Sequence, residues 1–169
     1  GALHRKMLGF FSYLLVQNEQ SKLLLSEIGV QHVSVAGDTR FDRVAENKEV
    51  DFADAIIEKF VTTEKVFVAG SVWNSDIPVL KSIIASLPKD WKVLIAPHEV
   101  KHFDTNWIAE PLNSYQSPNE LSARIFLLDT VGILSKVYRY ANFVYVGGGF
   151  SKGIHNILEP AIFLKPVLI

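Results

Sequence analysis

The feature that most constrains the fold is a short apolar run that ends at three consecutive glycines. Residues 142–146 (Asn-Phe-Val-Tyr-Val) are mostly β-branched or aromatic, and residues 147–149 are all glycine. Such a run predicts a buried strand that turns sharply at its carboxyl end. Further on, Asn156 and Glu159 have the spacing of a capping box, which predicts the first turn of a helix. Together these elements predict an anion-binding loop, because the first amides of a helix have no partner within it.

The side chains of this segment bear on whether it is a simple turn or a ligand site. A tight turn at residues 147–149 followed by a helix cap at Asn156 and Glu159 would explain the glycines and the capping residues. The segment also brings a hydroxyl, a cation, an imidazole, an amide and a carboxylate within nine positions, on Ser151, Lys152, His155, Asn156 and Glu159. This collection favours a sugar nucleotide as the ligand.

The rest of the chain repeats the pattern of strand, loop and helix. Five strands are predicted to alternate with helices, at 66–69, 92–96, 124–128, 143–146 and 166–169. The alternation predicts an α/β fold, a Rossmann-like parallel sheet with helices on both faces. Because the sequence stops inside the last predicted strand, we expect this fold to be truncated at the C-terminus.

Two other parts of the chain lie outside this alternation. Before it, the sequence predicts one αβ unit, with a buried strand at 10–16, a helix at 19–28 and a strand at 30–35. Within it, residues 111–121 are rich in Asn, Ser, Pro and Gln, which predicts a surface loop.

Ligands bind at the carboxyl edge of an open parallel sheet, so the loops that follow strands are the candidate site. Besides the glycine loop, three such loops carry the pairs Gly70 and Ser71, Pro97 and His98, and Val131 and Gly132. Asn74 or Ser75 is predicted to cap the helix that follows the loop of Gly70 and Ser71. Asp129 and Thr130 are predicted to cap the helix that begins in the loop of Val131 and Gly132.

Composition excludes several other functions. The 169 residues are 49% hydrophobic, carry a net charge of −1 and include no cysteine. The charge gives no broad basic surface, so nucleic acid is not expected as a partner. Without cysteine there are no disulfides or thiolate zinc sites, and no cluster in the sequence demands a metal. The longest apolar candidate, 8–16, is far shorter than the roughly 20 residues that span a bilayer, so we expect this segment to be soluble.

One motif resembles a known family. Residues 153–161 (Gly-Ile-His-Asn-Ile-Leu-Glu-Pro-Ala), running on to 165–168, resemble the Gly-Gly-His-Asn-x-Leu-Glu-Pro motif of the 3-deoxy-D-manno-octulosonic acid (Kdo) transferases of lipid A biosynthesis. Ile154 replaces the second glycine of that motif. Residues 37–42 also resemble the segment at which this family passes from its N-terminal to its C-terminal domain.

The other candidate loops extend the resemblance. Gly70 and Ser71 match the start of the corresponding loop of the family, and residues 94–103 align with its Pro-Arg-His-Pro-x-Arg segment, which places His98 where an arginine is expected. Residues 129–134 resemble Asp-Thr-Met-Gly-Glu-Leu, with Val131 for methionine and Ile133 for glutamate. A histidine is only partly charged near neutral pH, whereas arginine is always charged, so His98 changes how a phosphate would be held.

The resemblance implies the C-terminal half of a GT-B glycosyltransferase that uses CMP-Kdo. Residues 1–40 would then end the N-terminal acceptor domain, and 41–169 would form an incomplete donor-binding domain, with the boundary near 36–50. The family inverts the anomeric carbon when it transfers Kdo to a lipid A precursor, at the cytoplasmic face of the bacterial inner membrane. Its general base and its membrane contact belong to the N-terminal region, so we expect this chain alone to be inactive.

The resemblance also implies roles for individual residues. The CMP site would comprise Gly70, Ser71, Pro97, His98, Val131, Gly132, Gly148, His155, Asn156 and Glu159. Ser71 and His155 would steady the leaving phosphate, Asn156 and Glu159 would bind the ribose or phosphate, and Val131 would lie against the cytosine. No cofactor or metal is expected.

Two alternatives stay open from the sequence. Another GT-B enzyme, a UDP-sugar transferase or a UDP-sugar 2-epimerase, also uses a glycine loop followed by a glutamate at a helix start. A nucleotide-binding module without catalytic activity would need the same loop. Comparing CMP with UMP and UDP as ligands would separate the first alternative from a Kdo transferase.

Overall fold

A computed structural model describes residues 2–62, 65–118, 123–150 and 153–169. The chain divides into two compact units, Gly1–Ala45 and Glu46–Ile169. The division falls within the 36–50 region in which the sequence predicts a domain boundary. The assignment of 1–40 to an acceptor domain and 41–169 to a donor domain stays a prediction.

The first unit is a small αβ arrangement. Its elements are α1 (Ala2–Leu8), β1 (Leu14–Val16), α2 (Glu19–Glu27), β2 (Val33–Val35) and the start of α3 (Thr39–Glu49). Strands β1 and β2 pair in parallel. The Asn18 side chain caps α2 by accepting from the Ser21 N–H at 2.8 Å, and Gly29, at φ +89°, follows the helix end. The predicted helix is therefore confirmed.

The predicted buried strand at 10–16 is wrong in its extent and its burial. Only Leu14–Val16 is a strand, whereas Phe10 and Phe11 lie in a turn and are 77% and 55% exposed. Apolar composition predicted burial, but a two-stranded sheet with a single helix in contact has little surface with which to cover these rings.

The second unit is built on a six-stranded parallel sheet. Its elements are α4 (Ala55–Val61), β3 (Lys65–Val72), α5 (Ile77–Ser86), β4 (Trp91–Pro97), β5 (Leu112–Ser114), β6 (Ile125–Leu127), α6 (Leu134–Val137), β7 (Phe143–Val146), α7 (Leu158–Ala161) and β8 (Val167–Leu168). The strand order is β5-β6-β4-β3-β7-β8 and every pairing is parallel. The predicted α/β sheet is confirmed.

Side-chain alternation along the strands produces a core on each face of this sheet. Val66 and Val68 of β3 belong to one buried cluster, which α4 covers, and Phe67 and Ala69 belong to the other, which α5 covers. Such near-continuous apolar strands are typical of parallel sheets that carry helices on both faces. The structure confirms that arrangement.

One strand was not predicted. Leu112–Ser114 pairs in parallel with Ile125–Leu127 at the edge of the sheet, inside the segment that the sequence assigns to a surface loop. The strand lies at an edge and carries polar residues. Its central residue, Asn113, is buried, and among the described residues its side-chain nitrogen has no hydrogen-bond partner. A short polar edge strand carries no apolar period from which it could be recognised.

Candidate functional site

The candidate site lies where three neighbouring strands end. Strands β4, β3 and β7 are adjacent, and their parallel register aligns Gly70 with both Ala96 and Val146, and Val72 with Pro97. The loops that follow the strands therefore meet at one edge. Backbone hydrogen bonds join them, from the His98 N–H to the Val72 oxygen at 2.9 Å and from the Gly147 N–H to the Gly70 oxygen at 2.9 Å.

The sequence predicts that strand β3 ends before Gly70 and Ser71. In the structure the strand continues to Val72. The register shifts between Gly70 and Val72, and Ser71, which lies between them, has φ +52°. A positive φ is unfavourable for a residue with a Cβ, and such strain is often found at functional sites. Ser71 is half-buried at this irregularity.

The glycines of the site accommodate the protein's own atoms. A Cβ on Gly70 would lie 1.9 Å from the Tyr138 hydroxyl oxygen, and one on Gly147 would lie 2.6 Å from the Ser71 carbonyl oxygen. Gly148 combines φ +99° with a Cβ position 2.4 Å from the Gly153 carbonyl oxygen. The absence of side chains at these positions is thus required by close packing of the loops.

Three aromatic rings contact one another at the site, and of these His98 is exposed while Trp73 and His155 are half-buried. The Trp73 Nε1–H donates to His155 Nε2 at 2.8 Å, and the two ring planes differ by 13°. The His98 ring stacks on both, with its centroid 4.4 Å from that of Trp73 and 4.4 Å from that of His155. His98 and His155, which lie in separate loops of the sequence, are therefore brought together, and Trp73, which contacts both, is the residue that sequence reasoning missed.

A buried carboxylate lies beneath these loops. Asp76 has 0% exposure and accepts hydrogen bonds from the Trp73 N–H at 2.7 Å, the Gly148 N–H at 3.2 Å and the Tyr145 hydroxyl at 3.0 Å. Burying a carboxylate is tolerated only when several donors satisfy it. Asp76 was not among the predicted site residues, although its place three residues after Trp73, at the start of a helix, is a local signal for capping.

The predicted cap of α5 differs from the observed one. A 3₁₀ turn at Asn74–Asp76 precedes α5, and within it Asp76 accepts from the Trp73 N–H. The Asn74 side chain instead joins the neighbouring loop, where it donates to the His102 oxygen at 2.9 Å and accepts from the Asp104 N–H at 2.9 Å. Asp76 occupies the cap position of α5, and its side chain makes no hydrogen bond to the amides of that helix.

Ionisation in the site favours neutral side chains. Burial lowers the pKa of His155, the neighbouring His98 lowers it further, and Asp76 opposes both effects. Burial also raises the pKa of the Tyr145 hydroxyl, as does its hydrogen bond to Asp76. The lowered pKa favours the uncharged imidazole of His155, whose Nε2 atom accepts from the Trp73 Nε1–H.

Asn156 and Glu159 interact, but not as a capping box placed at Asn156. Helix α7 begins at Leu158 with Ile157 in the cap position. The Asn156 Oδ1 accepts from the Leu158 N–H at 3.1 Å, and its amide nitrogen donates to Glu159 Oε1 at 3.3 Å. The helix starts one residue later than the spacing suggests because the Asn156 side chain closes a turn of its own.

Val131 and Gly132 lie at the same sheet edge but farther along it. They follow β6, which is separated from β7 by β4 and β3. Val131 is 83% exposed and Gly132 has φ +91°. Helix α6 begins at Leu134 with Ile133 in its cap position, so the prediction that Asp129 and Thr130 cap it is wrong. Asp129 accepts instead from the Gln116 N–H at 2.9 Å.

The remaining site residues are placed as follows. Pro97 is half-buried at the end of β4, directly before His98. Ser151 and Lys152 lie outside the described residues. In the described ranges, no group of three or more His, Asp and Glu side chains is arranged to hold a metal ion. Nor does any helix of those ranges combine the length and apolar character needed to cross a membrane.

Comparison with known proteins confirms the resemblance noted from the motif. The chain is 27% identical over 169 residues to the 3-deoxy-D-manno-octulosonic acid transferase of Rickettsia bellii, a match that covers 94% of the chain and 40% of the relative. The transferase of the same name from Chlamydophila psittaci is 27% identical over 164 residues, covering 86% and 36%. A bifunctional glycosyltransferase/methyltransferase of Fusobacterium nucleatum is 27% identical over 180 residues, covering 98% and 28%. The chain thus spans well under half of these relatives.

A solved structure shares the fold. The C-terminal CMP-Kdo binding domain of WaaA from Acinetobacter baumannii superposes with a TM-score of 0.53 at 18% identity, over 75% of this chain and 68% of that domain. No family model matches the chain. The parallel sheet with its flanking helices is therefore the fold of the C-terminal domain of a GT-B glycosyltransferase, and the chain resembles the C-terminal part of Kdo transferases.

Proposed function

We propose that this chain binds the CMP part of CMP-Kdo and forms the donor-binding half of a Kdo transferase. The observation that carries the proposal is the meeting of three motif loops at one sheet edge. Ser71, His98 and His155 lie on loops that follow three adjacent strands, and the backbone and ring contacts described above join these loops. The carboxyl edge of a parallel sheet is where such folds bind nucleotides.

In this proposal, different site residues contact different parts of the nucleotide. Ser71 and His155 hydrogen bond the leaving phosphate, and Asn156 with Glu159 binds the ribose, since a carboxylate is a strong acceptor for hydroxyl groups. Pro97, Val131 and Gly132 face the base, and Gly70 and Gly148 allow the loops to close around the phosphate. His98 occupies the place of the family's arginine and contributes a donor beside His155.

In the proposed reaction a sugar hydroxyl of a lipid A precursor attacks the anomeric carbon of Kdo. The bond to the CMP phosphate breaks, and the configuration at the anomeric carbon is inverted. The hydroxyl proton passes to a general base outside residues 1–169, and no metal or cofactor takes part. The whole enzyme works at the cytoplasmic face of the bacterial inner membrane, and this chain stabilises the departing CMP by hydrogen bonds to its phosphate.

Calorimetric titration of the chain with CMP, UMP and UDP tests the proposal. We expect CMP to bind at least about tenfold more tightly than either uridine nucleotide, a difference of about 1.4 kcal/mol. His155→Ala should weaken CMP binding, whereas the matched change His4→Ala, in the other unit of the chain, should not. Preference for UDP would favour a UDP-sugar transferase or epimerase, and no binding of any nucleotide would refute the proposal.

A separate measurement tests the division of labour. We expect the 169-residue chain to transfer no Kdo from CMP-Kdo to a lipid A precursor, because the proposal places the general base outside it. Transfer by the isolated chain would show that the catalytic group lies within these residues. The CMP titration would stand in either case, so binding and catalysis are tested independently.

A further inference from the structure

We infer that Asp76 and Trp73 are positioning residues that hold His155 in the neutral tautomer with its proton on Nδ1. His155 then presents a fixed N–H donor to the ligand without carrying a charge. The inference deepens the proposed function, since it names how one phosphate-binding side chain is prepared. It can be tested in the free protein, independently of the identity of the ligand.

The tautomer follows from the donor and acceptor chemistry of the two rings. The indole Nε1–H can only donate, and it lies 2.8 Å from His155 Nε2 in a nearly coplanar arrangement. The Nε2 atom must therefore be unprotonated and accept. A neutral imidazole with an accepting Nε2 carries its proton on Nδ1.

The same carboxylate places both partners of this hydrogen bond. Asp76 accepts from the backbone N–H of Trp73 at 2.7 Å and so fixes the backbone position from which the indole side chain extends. Asp76 also accepts from the backbone N–H of Gly148 at 3.2 Å. The carbonyl oxygen of the neighbouring Gly147 accepts from the backbone N–H of His155 at 3.3 Å. One buried group thereby ties the loop of the donor to the loop of the acceptor.

The electrostatics around His155 also favour its neutral form. Burial and the neighbouring His98 lower the pKa of His155, and Asp76 is the group that opposes them. The Tyr145 hydroxyl that faces Asp76 stays protonated, because its pKa is raised by burial and by the hydrogen bond to that carboxylate. Protonation of His155 on Nε2 would break the bond to Trp73 and place two donors face to face.

Nitrogen NMR of the uniformly ¹⁵N-labelled chain reads the tautomer directly. The long-range couplings of the His155 ring should show an Nδ1–H imidazole with an unprotonated Nε2 at pH 7.5. Trp73→Phe keeps an aromatic ring for stacking on His98 but removes the N–H donor. In this variant we expect His155 to shift towards the Nε2–H tautomer that a histidine in water prefers. Trp91→Phe, the same change at the start of β4, is the matched control and should leave the His155 signals unchanged.

Asp76→Asn tests the other positioning residue. Asparagine replaces one carboxylate oxygen by an N–H donor. At the Oδ1 position this donor would force the Tyr145 hydroxyl to reverse its bond and would face the Gly148 N–H, and the remaining oxygen would be a neutral and weaker acceptor, so the links to both loops are weakened. We expect the tautomer of His155 to become mixed, as in Trp73→Phe. If Asp76→Asn does not fold, Trp73→Phe alone decides. An Nε2–H tautomer in the unaltered chain, or an Nδ1–H tautomer that persists in Trp73→Phe, would overturn the inference.

The consequence for binding is measured with CMP as the probe. Trp73→Phe should weaken CMP binding by about three- to tenfold, the effect of losing one well-placed hydrogen bond, and the control Trp91→Phe should not. Failure of the unaltered chain to bind CMP would refute the proposed function but leave the tautomer result intact. A changed tautomer with unchanged CMP affinity would refute the role of the positioned donor.

Discussion

Replacing Gly70 by alanine would place a methyl group against a side chain that cannot move aside. The added Cβ would lie 1.9 Å from the Tyr138 hydroxyl oxygen and 2.8 Å from its Cζ atom. Tyr138 is 1% exposed and belongs to the core cluster on one face of the sheet, so its ring has no free volume to enter. Either the ring or the end of β3 must shift.

The cost can be estimated from overpacking in other cores. Extra methylenes in well-packed sites destabilise by about 1–3 kcal/mol, and a contact this short should fall at the upper end. For a chain of this size we therefore expect the melting temperature to fall by about 6–12 °C. Because Gly70 precedes Ser71 at the candidate site, CMP binding should weaken as well.

The control and the rescue variant separate this contact from a general loss of glycine. A Cβ on Gly149 would have only ordinary contacts, at 3.8 Å and beyond, so Gly149→Ala should change thermal stability little. Tyr138→Phe removes the hydroxyl but leaves Cζ, so the double variant should be more stable than the sum of the single effects by about 1 kcal/mol. The packing argument would be refuted if the changes in the free energy of unfolding of the two single variants simply added up in the double variant, or if Gly70→Ala were as stable as Gly149→Ala.

Three further predictions address single side chains. Glu159→Gln removes a charged acceptor and should cost about 1.5–3 kcal/mol of CMP affinity by calorimetry; unchanged binding with a lower melting temperature would mean a structural role only. Ser71→Gly should stabilise the chain by up to about 1 kcal/mol in urea denaturation, since Ser71 has φ +52°, yet weaken CMP binding; destabilisation would contradict this. Asp54→Ala removes the cap of Ile56 and Ile57 and the partner of the Tyr115 hydroxyl, so unfolding should require about 1–2 kcal/mol less; a cost as small as that of Asp51→Ala would contradict it.

Much of the fold could be predicted because the strands of the second unit are apolar on both faces. Residues 143–146 and 92–96 were predicted as strands, and the structure has them at Phe143–Val146 and Trp91–Pro97. The convergence of the loops after them follows from parallel topology alone. The edge strand Leu112–Ser114 could not be predicted, because its pairing partner, and not its own composition, makes it a strand.

The site could be predicted only in part, for a similar reason. His98 and His155 were identified from short motifs in the loops that follow strands, which is local information. Asp76 and Trp73 acquire their roles from partners far along the chain, such as Gly148 and Tyr145 for the carboxylate and His155 for the indole. A polar residue in the first turn of a helix looks like a cap in any sequence, and only the tertiary fold shows that this one is fully buried.

The two histidines of the site differ in burial and in their contacts, although both lie in loops that follow strands. His155 is half-buried, its Nε2 accepts from Trp73 and its pKa is lowered, so we expect it to act as a neutral donor of fixed direction. His98 is exposed and stacks on both rings, so we expect it to be the member of the stack that a ligand reaches first. Because neither imidazole has the permanent charge of an arginine, we expect backbone N–H groups, and the geometry that Asp76 maintains, to contribute to holding an anion at this edge. Loss of that geometry should thus affect binding more than loss of either imidazole alone.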